Sequence, residues 1–261
     1  MDPAYNASMA KAAALARWMR EQSSAAGTRG FVVGLSGGLD SAVVARLAQM
    51  AAPDAVTAVL LPCHSDPQDA RDALSVAARF SLATMRIDLS ATYDALVAEA
   101  QTALRVAEPE KWVAPPDPRH GRVRLANIKP RLRMTTLYFV ANSLNYLVAG
   151  TANRSDLAIG CFTKYGDGAG DVLPIGHLVK SEVRALAGEL GVPDAIIDRP
   201  PSAGLWLGQT DEEDMGFTHA ELERYLEEGP QAVSPALAVR IERLIRASEH
   251  KRKVPPTPNA E

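Results

Sequence analysis

The chain has 261 residues, 47% hydrophobic and 23% charged, an ordinary globular composition near the upper end of single-core size that fits one self-sufficient domain. Its net charge of −3, from 28 basic and 31 acidic residues, speaks against a general nucleic-acid binder, and its apolar runs fall far short of the ~20 residues that cross a bilayer. Two cysteines, Cys63 and Cys161, make no disulfide framework, and the N-terminus lacks the basic-then-apolar pattern of an export signal, so a small-molecule enzyme of the cytoplasm is expected.

Residues Ala7 to Gln22 are Ala-rich and helical in propensity, and the apolar run Phe31 to Leu35 has strand length. Ser36-Gly37-Gly38-Leu39-Asp40-Ser41 follows at once, and then the helix-like stretch Ala42 to Ala52. Val56 to Pro62 and Thr84 to Leu89 read as further strands, with helices over Asp66 to Phe80 and Thr92 to Ala107. Four prolines and a closing glycine between Pro109 and Gly121 predict a loop. Helical periodicity resumes from Asn127 to Leu144, with Pro130 in the first turn, where a missing N–H costs nothing.

Tyr146 to Gly150 makes a fourth strand, and Gly160 to Gly176 holds five glycines, suited to close backbone approach to a ligand. Lys180 to Leu190 is a helix stopped by Gly191 and Pro193. Asp198 to Gly216 reads as a long irregular segment of the kind that forms lids. Thr218 to Glu221 is a capping box, and Ser234-Pro235 is an N-cap followed by proline at the first helical position. Alternating apolar runs and amphipathic helices predict an α/β fold, a doubly wound parallel sheet with helices on both faces.

The turn between the first strand and its helix carries the chemistry. Its glycines let main-chain amides turn inward around an anion, and the helix N-terminus adds a favourable dipole for pyrophosphate. Ser36 and Ser41 can donate hydroxyls. A carboxylate beside a phosphate makes sense through a bridging cation, so Asp40 reads as a Mg²⁺ ligand. No lysine lies between Arg29 and Arg46, so the Walker pattern is missing, and Gly34, Gly37 and Gly38 do not have the dinucleotide fingerprint spacing. The competing reading is an accidental serine and glycine turn before a helix.

SGGLDS resembles the loop of the ATP pyrophosphatases, and the chain as a whole resembles the ammonia-dependent NAD⁺ synthetases. The resemblance is carried by Gly34 to Val44, Asn127 to Met134, Gly150 to Asp156, Phe162 to Gly168, Pro174 to Arg184, Pro200 to Glu213 and Glu249 to Arg252, seven blocks in order. It implies a Rossmann-like fold with a pyrophosphatase loop, and ATP held by Gly34, Leu35, Ser36, Gly37, Gly38, Leu39, Asp40 and Ser41, together with Thr151, Lys180 and Ser202. Asp40 and Lys180 would be catalytic, and Mg²⁺ would lie on Asp40 and Asp156. The second carboxylate is usually glutamate in that family and is one methylene shorter here.

The same resemblance puts deamido-NAD⁺ on Arg131, Lys164, Asp171, His250 and Lys251, and it implies a homodimer. Arg133, two residues from Arg131 along a helix, points to another side and reads as structural. No histidine is assigned to metal, and Trp18, Trp112 and Trp206 read as packing or loop residues. The implied reaction is amidation of deamido-NAD⁺ by ammonia. The nicotinate carboxylate attacks the α phosphate of ATP, pyrophosphate leaves, and ammonia displaces AMP from the acyl-adenylate. No side-chain nucleophile is needed, in keeping with the lack of a Ser-His or Cys-His arrangement.

Glutamine-dependent members carry an added amidase domain of comparable size. The synthetase blocks span residues 1–261 nearly end to end, so a single synthetase domain using free ammonia is expected. Two other readings remain open: another ATP-pyrophosphatase enzyme, such as a GMP synthetase or a tRNA-modifying enzyme, and a catalytically silent paralogue that binds dinucleotide.

Overall fold

The computed structural model describes residues 3–109, 118–202, 204–206 and 208–258. Four short strands, β1 (Phe31–Gly34), β2 (Val56–Leu60), β3 (Ala83–Arg86) and β4 (Leu147–Ala149), form one parallel sheet in the order β3-β2-β1-β4. Phe31 lies beside both Val56 and Leu147, which sets the register at the central strand. The chain moves outward from β1 through β2 to β3 and then returns to the far side of β1 for β4. That reversal opens a crevice beyond the carboxyl ends of β1 and β4, where open parallel sheets bind ligands.

The helices are α1 (Pro3–Ala25), α2 (Leu39–Ala51), α3 (Pro67–Phe80), α4 (Ser90–Ala107), α5 (Pro118–Ala126) and α6 (Ile128–Leu144). After β4 come α7 (Arg154–Ile159), α8 (Lys180–Leu190), α9 (Asp194–Ile197), α10 (Asp211–Met215), α11 (His219–Glu228) and α12 (Pro235–Ser248). Strand residues alternate between two cores, as the period of two requires. Phe31, Val33, Ala58 and Leu60 pack with residues of α1, α2, α3 and α8. Val32, Val59 and Val148 face the other way, onto Val140 and Ala141 of α6, with Tyr93 of α4 at the margin. A third cluster, around Leu222 and Ile241, joins α11 and α12 to Ile159 at the end of α7. The sheet is therefore doubly wound, as expected.

Capping explains where several helices begin. Asp66 accepts a hydrogen bond from the Gln68 amide (2.8 Å) with Pro67 at the first helical position of α3. Thr218 and Glu221 close a reciprocal box at α11, and the Ser234 hydroxyl accepts from the Leu237 amide of α12.

Two expectations need correction, and one helix is additional. The loop from Pro109 to Gly121 ends early, because α5 begins at Pro118; residues 110–117, Trp112 among them, lie outside the described residues. The irregular stretch from Asp198 to Gly216 contains α10, started by the Thr210 hydroxyl accepting from the Glu213 amide and stopped by Gly216 at φ +73°. Helix α7 was not expected at all. It is six residues long and stands on an Asn153/Asp156 capping box.

Candidate active site

A cavity of about 550 Å³ occupies the crevice at the carboxyl ends of β1, β2 and β4. The segment Gly34 to Ser41 forms one wall. Gly37 has φ +85°, and a Cβ there would stand 2.5 Å from the Asp69 carbonyl oxygen and 2.9 Å from the Asp72 Cβ. Both the backbone conformation and the space demand glycine. The Ser36 amide donates to the Ser41 hydroxyl (3.2 Å), and the Gly38 amide donates to the Ser36 hydroxyl (3.2 Å). Oxygen acceptors thus already sit against the inward-turned amides, at the N-terminus of α2. Such a cradle suits phosphate.

Asp40, in the first turn of α2, meets Lys180, the first residue of α8, at 2.5 Å. Lys180 is only 6% exposed. Burial pulls its ammonium toward neutrality, yet Asp40 and Asp156 overrule that effect and hold its pKa above the ordinary lysine value. The Asn153 amide nitrogen reaches the other Asp40 oxygen at 3.4 Å, and its side-chain oxygen accepts from the Asp156 amide at 3.0 Å. Burial and then the nearby Asp40 charge push Asp156 well above the usual carboxylate range, with Asp211 adding to the rise and Lys180 opposing it. Asp40, Asp156 and Asp211 thus all act on the Lys180 ammonium.

Thr151 and Ser202 also line the cavity, Thr151 just beyond β4 and Ser202 with its hydroxyl accepting from the Gly204 amide at 3.1 Å. All the residues expected at ATP are thereby brought to one cavity, except Gly37, whose contact is with α3 behind the loop.

The residues expected at the dinucleotide gather differently. The Arg131 Nε donates to the Lys164 carbonyl at 3.2 Å, on the exposed side of α6. Lys251 Nζ donates to the carbonyls of Gly160 and Phe162 at 2.8 and 2.7 Å, which ties the C-terminal tail to the glycine-rich loop, and burial lowers its pKa. His250 beside it is exposed. Asp171 accepts from the Val148 amide at 2.8 Å and from the Tyr138 hydroxyl at 3.2 Å, so both its oxygens are engaged at the edge of the sheet. These residues surround the 160–171 loop outside the cavity lining.

Arg133 points away from Arg131, as the helix geometry predicts, and makes structural contacts at the cavity wall, where Nε donates to the Leu61 carbonyl and Nη2 to the Ser65 hydroxyl, each at 3.1 Å. Asn153 was missed, although the Asn-x-x-Asp spacing of a capping box was there to find. Lys129, 8% exposed, donates to the Leu205 carbonyl at 2.9 Å and so fastens the segment after Pro201 to α6. No local signal announced that contact.

A glycine phosphate loop at the switch point of a parallel sheet, with a half-buried carboxylate and a buried lysine facing it, defines a nucleotide-binding α/β protein of the ATP pyrophosphatase type. The NAD synthase family profile matches residues 11–255. An NH3-dependent NAD+ synthetase of Carboxydothermus hydrogenoformans is 48% identical over 244 residues, which cover 94% of this chain and 95% of that protein. The chain belongs to the NAD synthase family. Among solved structures, an NMN synthetase from Francisella tularensis superposes with TM-score 0.87 at 37% identity, covering 97% of this chain and 99% of that one. An NH3-dependent NAD synthetase from Campylobacter jejuni gives TM-score 0.76 at 28% identity, covering 99% of this chain and all of that one.

Proposed function

We propose that the protein is an ATP-dependent, carbon-nitrogen bond-forming ligase that converts deamido-NAD⁺ and ammonia to NAD⁺, with release of AMP and pyrophosphate. The observation that carries the reading is the Asp40–Lys180 pair at the mouth of the phosphate loop, in a chain of this family. An intact charged centre also speaks against a silent dinucleotide-binding paralogue.

A carboxylate is a poor electrophile because ammonia cannot displace oxide from it. Adenylation solves this by exchanging oxide for AMP as the leaving group. The nicotinate oxygen forms a bond to the α phosphorus, the bond to the bridging oxygen of pyrophosphate breaks, and the pyrophosphate keeps the electron pair. The loop amides and the Lys180 ammonium stabilise that leaving charge from fixed positions. Ammonia then adds to the carbonyl carbon, loses a proton, and AMP departs. Arg131, Lys164, Asp171, His250 and Lys251 orient the dinucleotide, and Thr151 and Ser202 hold ATP. The segment from Asp198 to Gly216 covers the adenylate and keeps water out.

Among the described residues no group of three or more histidine, cysteine or acidic side chains is placed to hold a metal. The two carboxylates Asp40 and Asp156 suit a hard cation that keeps waters and takes its other ligands from phosphate, which is how Mg²⁺ is commonly bound. Asp156 stands close enough to Asp40 for the two carboxylates to repel, after burial has already raised the Asp156 pKa, and that closeness is the structural reason to place the ion there. Bound Mg²⁺ would supply charge neutralisation at the phosphates. The shorter Asp156 is held at the third position of α7 by the Asn153 cap, which sets the reach of its carboxylate.

Ammonia is taken as a free molecule, a reading supported by the near end-to-end match with the ammonia-dependent relative from Carboxydothermus. The reaction is placed in the cytoplasm, in keeping with two free cysteines; no helix among the described residues is long and apolar enough to cross a membrane. We also propose a homodimer. Helix α4 buries none of its 18 residues, leaving Leu96, Leu104 and Val106 exposed, and Phe139 on neighbouring α6 is 71% exposed. A second copy is the expected cover for this face. Sedimentation equilibrium of the wild type and of Phe139→Glu should show a dimer and a weakened one; a monomeric wild type would overturn the assembly.

A second substrate reading is favoured by the close superposition on the Francisella NMN synthetase. The chemistry at the carboxylate is the same for nicotinic acid mononucleotide, which lacks only the adenylyl half. Incubation of the protein with ATP, Mg²⁺ and ammonium and each acid in turn decides the matter through kcat/KM. Preference for deamido-NAD⁺ with equal yields of AMP and NAD⁺ is expected. Preference for the mononucleotide would move the substrate assignment, and formation of ADP would sink the adenylation chemistry.

A further inference from the structure

We propose that Arg199 is a positioning residue for ATP, registering the covering segment against the phosphate loop by clasping two aspartates of α3. This inference rests on the reading of the cavity as an ATP site.

The contacts form a chain. One guanidinium arm of Arg199 donates to Asp69 at 2.5 Å and the other to Asp72 at 2.7 Å. The two aspartates stand three residues apart, on one face of α3. The phosphate loop lies against the same turn of α3, so tightly that Gly37 has no room for a Cβ between itself and Asp69 and Asp72. From the other side, a Cβ on Gly204 would be 3.8 Å from Asp69 Oδ2, in ordinary van der Waals contact. Asp69 is therefore touched by Arg199, lies against Gly204 of the covering segment, and abuts the phosphate loop at Gly37.

Two physical consequences follow. Pro200 and Pro201 succeed Arg199 and restrict the backbone, so anchoring the guanidinium also sets where Ser202 enters the cavity. The Arg199 charge, on the cavity wall together with Asp69, also compensates two carboxylates that otherwise stand against a loop built for polyanionic phosphate. Without it, their field would oppose the ligand. Only a planar fork pairs both aspartates at once; a lysine ammonium is a compact point charge without that geometry.

The test uses the full chain with Mg²⁺. ATP affinity is read by calorimetry and the amidation by steady-state kinetics. Arg199→Ala should raise the Kd and KM for ATP about tenfold and leave kcat at saturating ATP within about threefold, as expected for a lost charge pair away from the reacting atoms. Arg199→Lys should fall between this variant and wild type, and it keeps the proposal testable if the alanine variant does not fold. Adding Asp69→Asn and Asp72→Asn to Arg199→Ala removes the uncompensated charge but does not restore the clasp, so most of the loss should remain. Full recovery in the triple variant would reduce Arg199 to charge compensation and overturn the registering role, as would wild-type affinity in Arg199→Ala. A wild-type protein that binds no ATP would defeat the functional reading itself, and is seen before any variant is made.

Discussion

Asp40→Ala is expected to lower turnover by about a thousandfold or more while the protein still folds, as is typical when a fixed charge is removed from a transition-state site. The expectation follows from geometry. Asp40 is the carboxylate shared by Lys180 and Asn153, and it stands in the first turn of α2, where the loop amides converge. Alanine there would remove the proposed Mg²⁺ ligand and the partner that holds the Lys180 ammonium in place. The apolar packing comes from its neighbours Leu39, Ala42 and Val43, so the variant should fold, at reduced stability because the buried Lys180 loses its closest carboxylate. Formation of AMP and NAD⁺ measures the loss, and circular dichroism the fold. Near-normal rates would refute the role given to Asp40.

Lys180→Met is expected to damage stability as well as activity. Removing one partner of a largely buried pair strands the other, at a cost of up to about 3 kcal/mol, less here because Asp40 is partly open to water. Here Asp40 and Asp156 would both be left without their ammonium, and Asp156 already has its pKa raised with that lysine in place. Methionine keeps most of the side-chain volume, so the effect reads as charge and not as a cavity. Urea unfolding should show the destabilisation, and added Mg²⁺ should reverse part of it by compensating the same carboxylates. If the variant is as stable as wild type, or if Mg²⁺ leaves it unchanged, the electrostatic account of the site is wrong.

The family resemblance spans the whole chain, but it names residues without saying how they meet. The phosphate loop was legible because everything it needs is local: the apolar run from Phe31, a glycine turn and a helix start lie within about a dozen residues. Asp40 was readable for the same reason. Its pairing with Lys180 was not, since 140 residues separate them and only the packing of α8 beside α2 brings the two helix starts together. Arg131 and Arg133 show the same division. Helical geometry alone says that they diverge, but it cannot say which side faces the cavity. The sheet order settled that in favour of Arg133, because α6 covers β1 and β4 on the face that carries Val32 and Val148. The clasp of Arg199 on Asp69 and Asp72 left no trace in the local pattern.

Local backbone preference and side-chain periodicity are written in neighbouring residues, so the chain by itself determined the alternation of strands and helices, the phosphate loop, and the caps at Asp66, Thr218 and Ser234. Contacts between distant segments depend on strand order and helix packing, which cooperative burial selects for the molecule as a whole. The tertiary structure alone therefore decided that Lys180 answers Asp40, that Asn153 joins Asp40 to Asp156, and that Arg199 reaches over to α3 beside the phosphate loop.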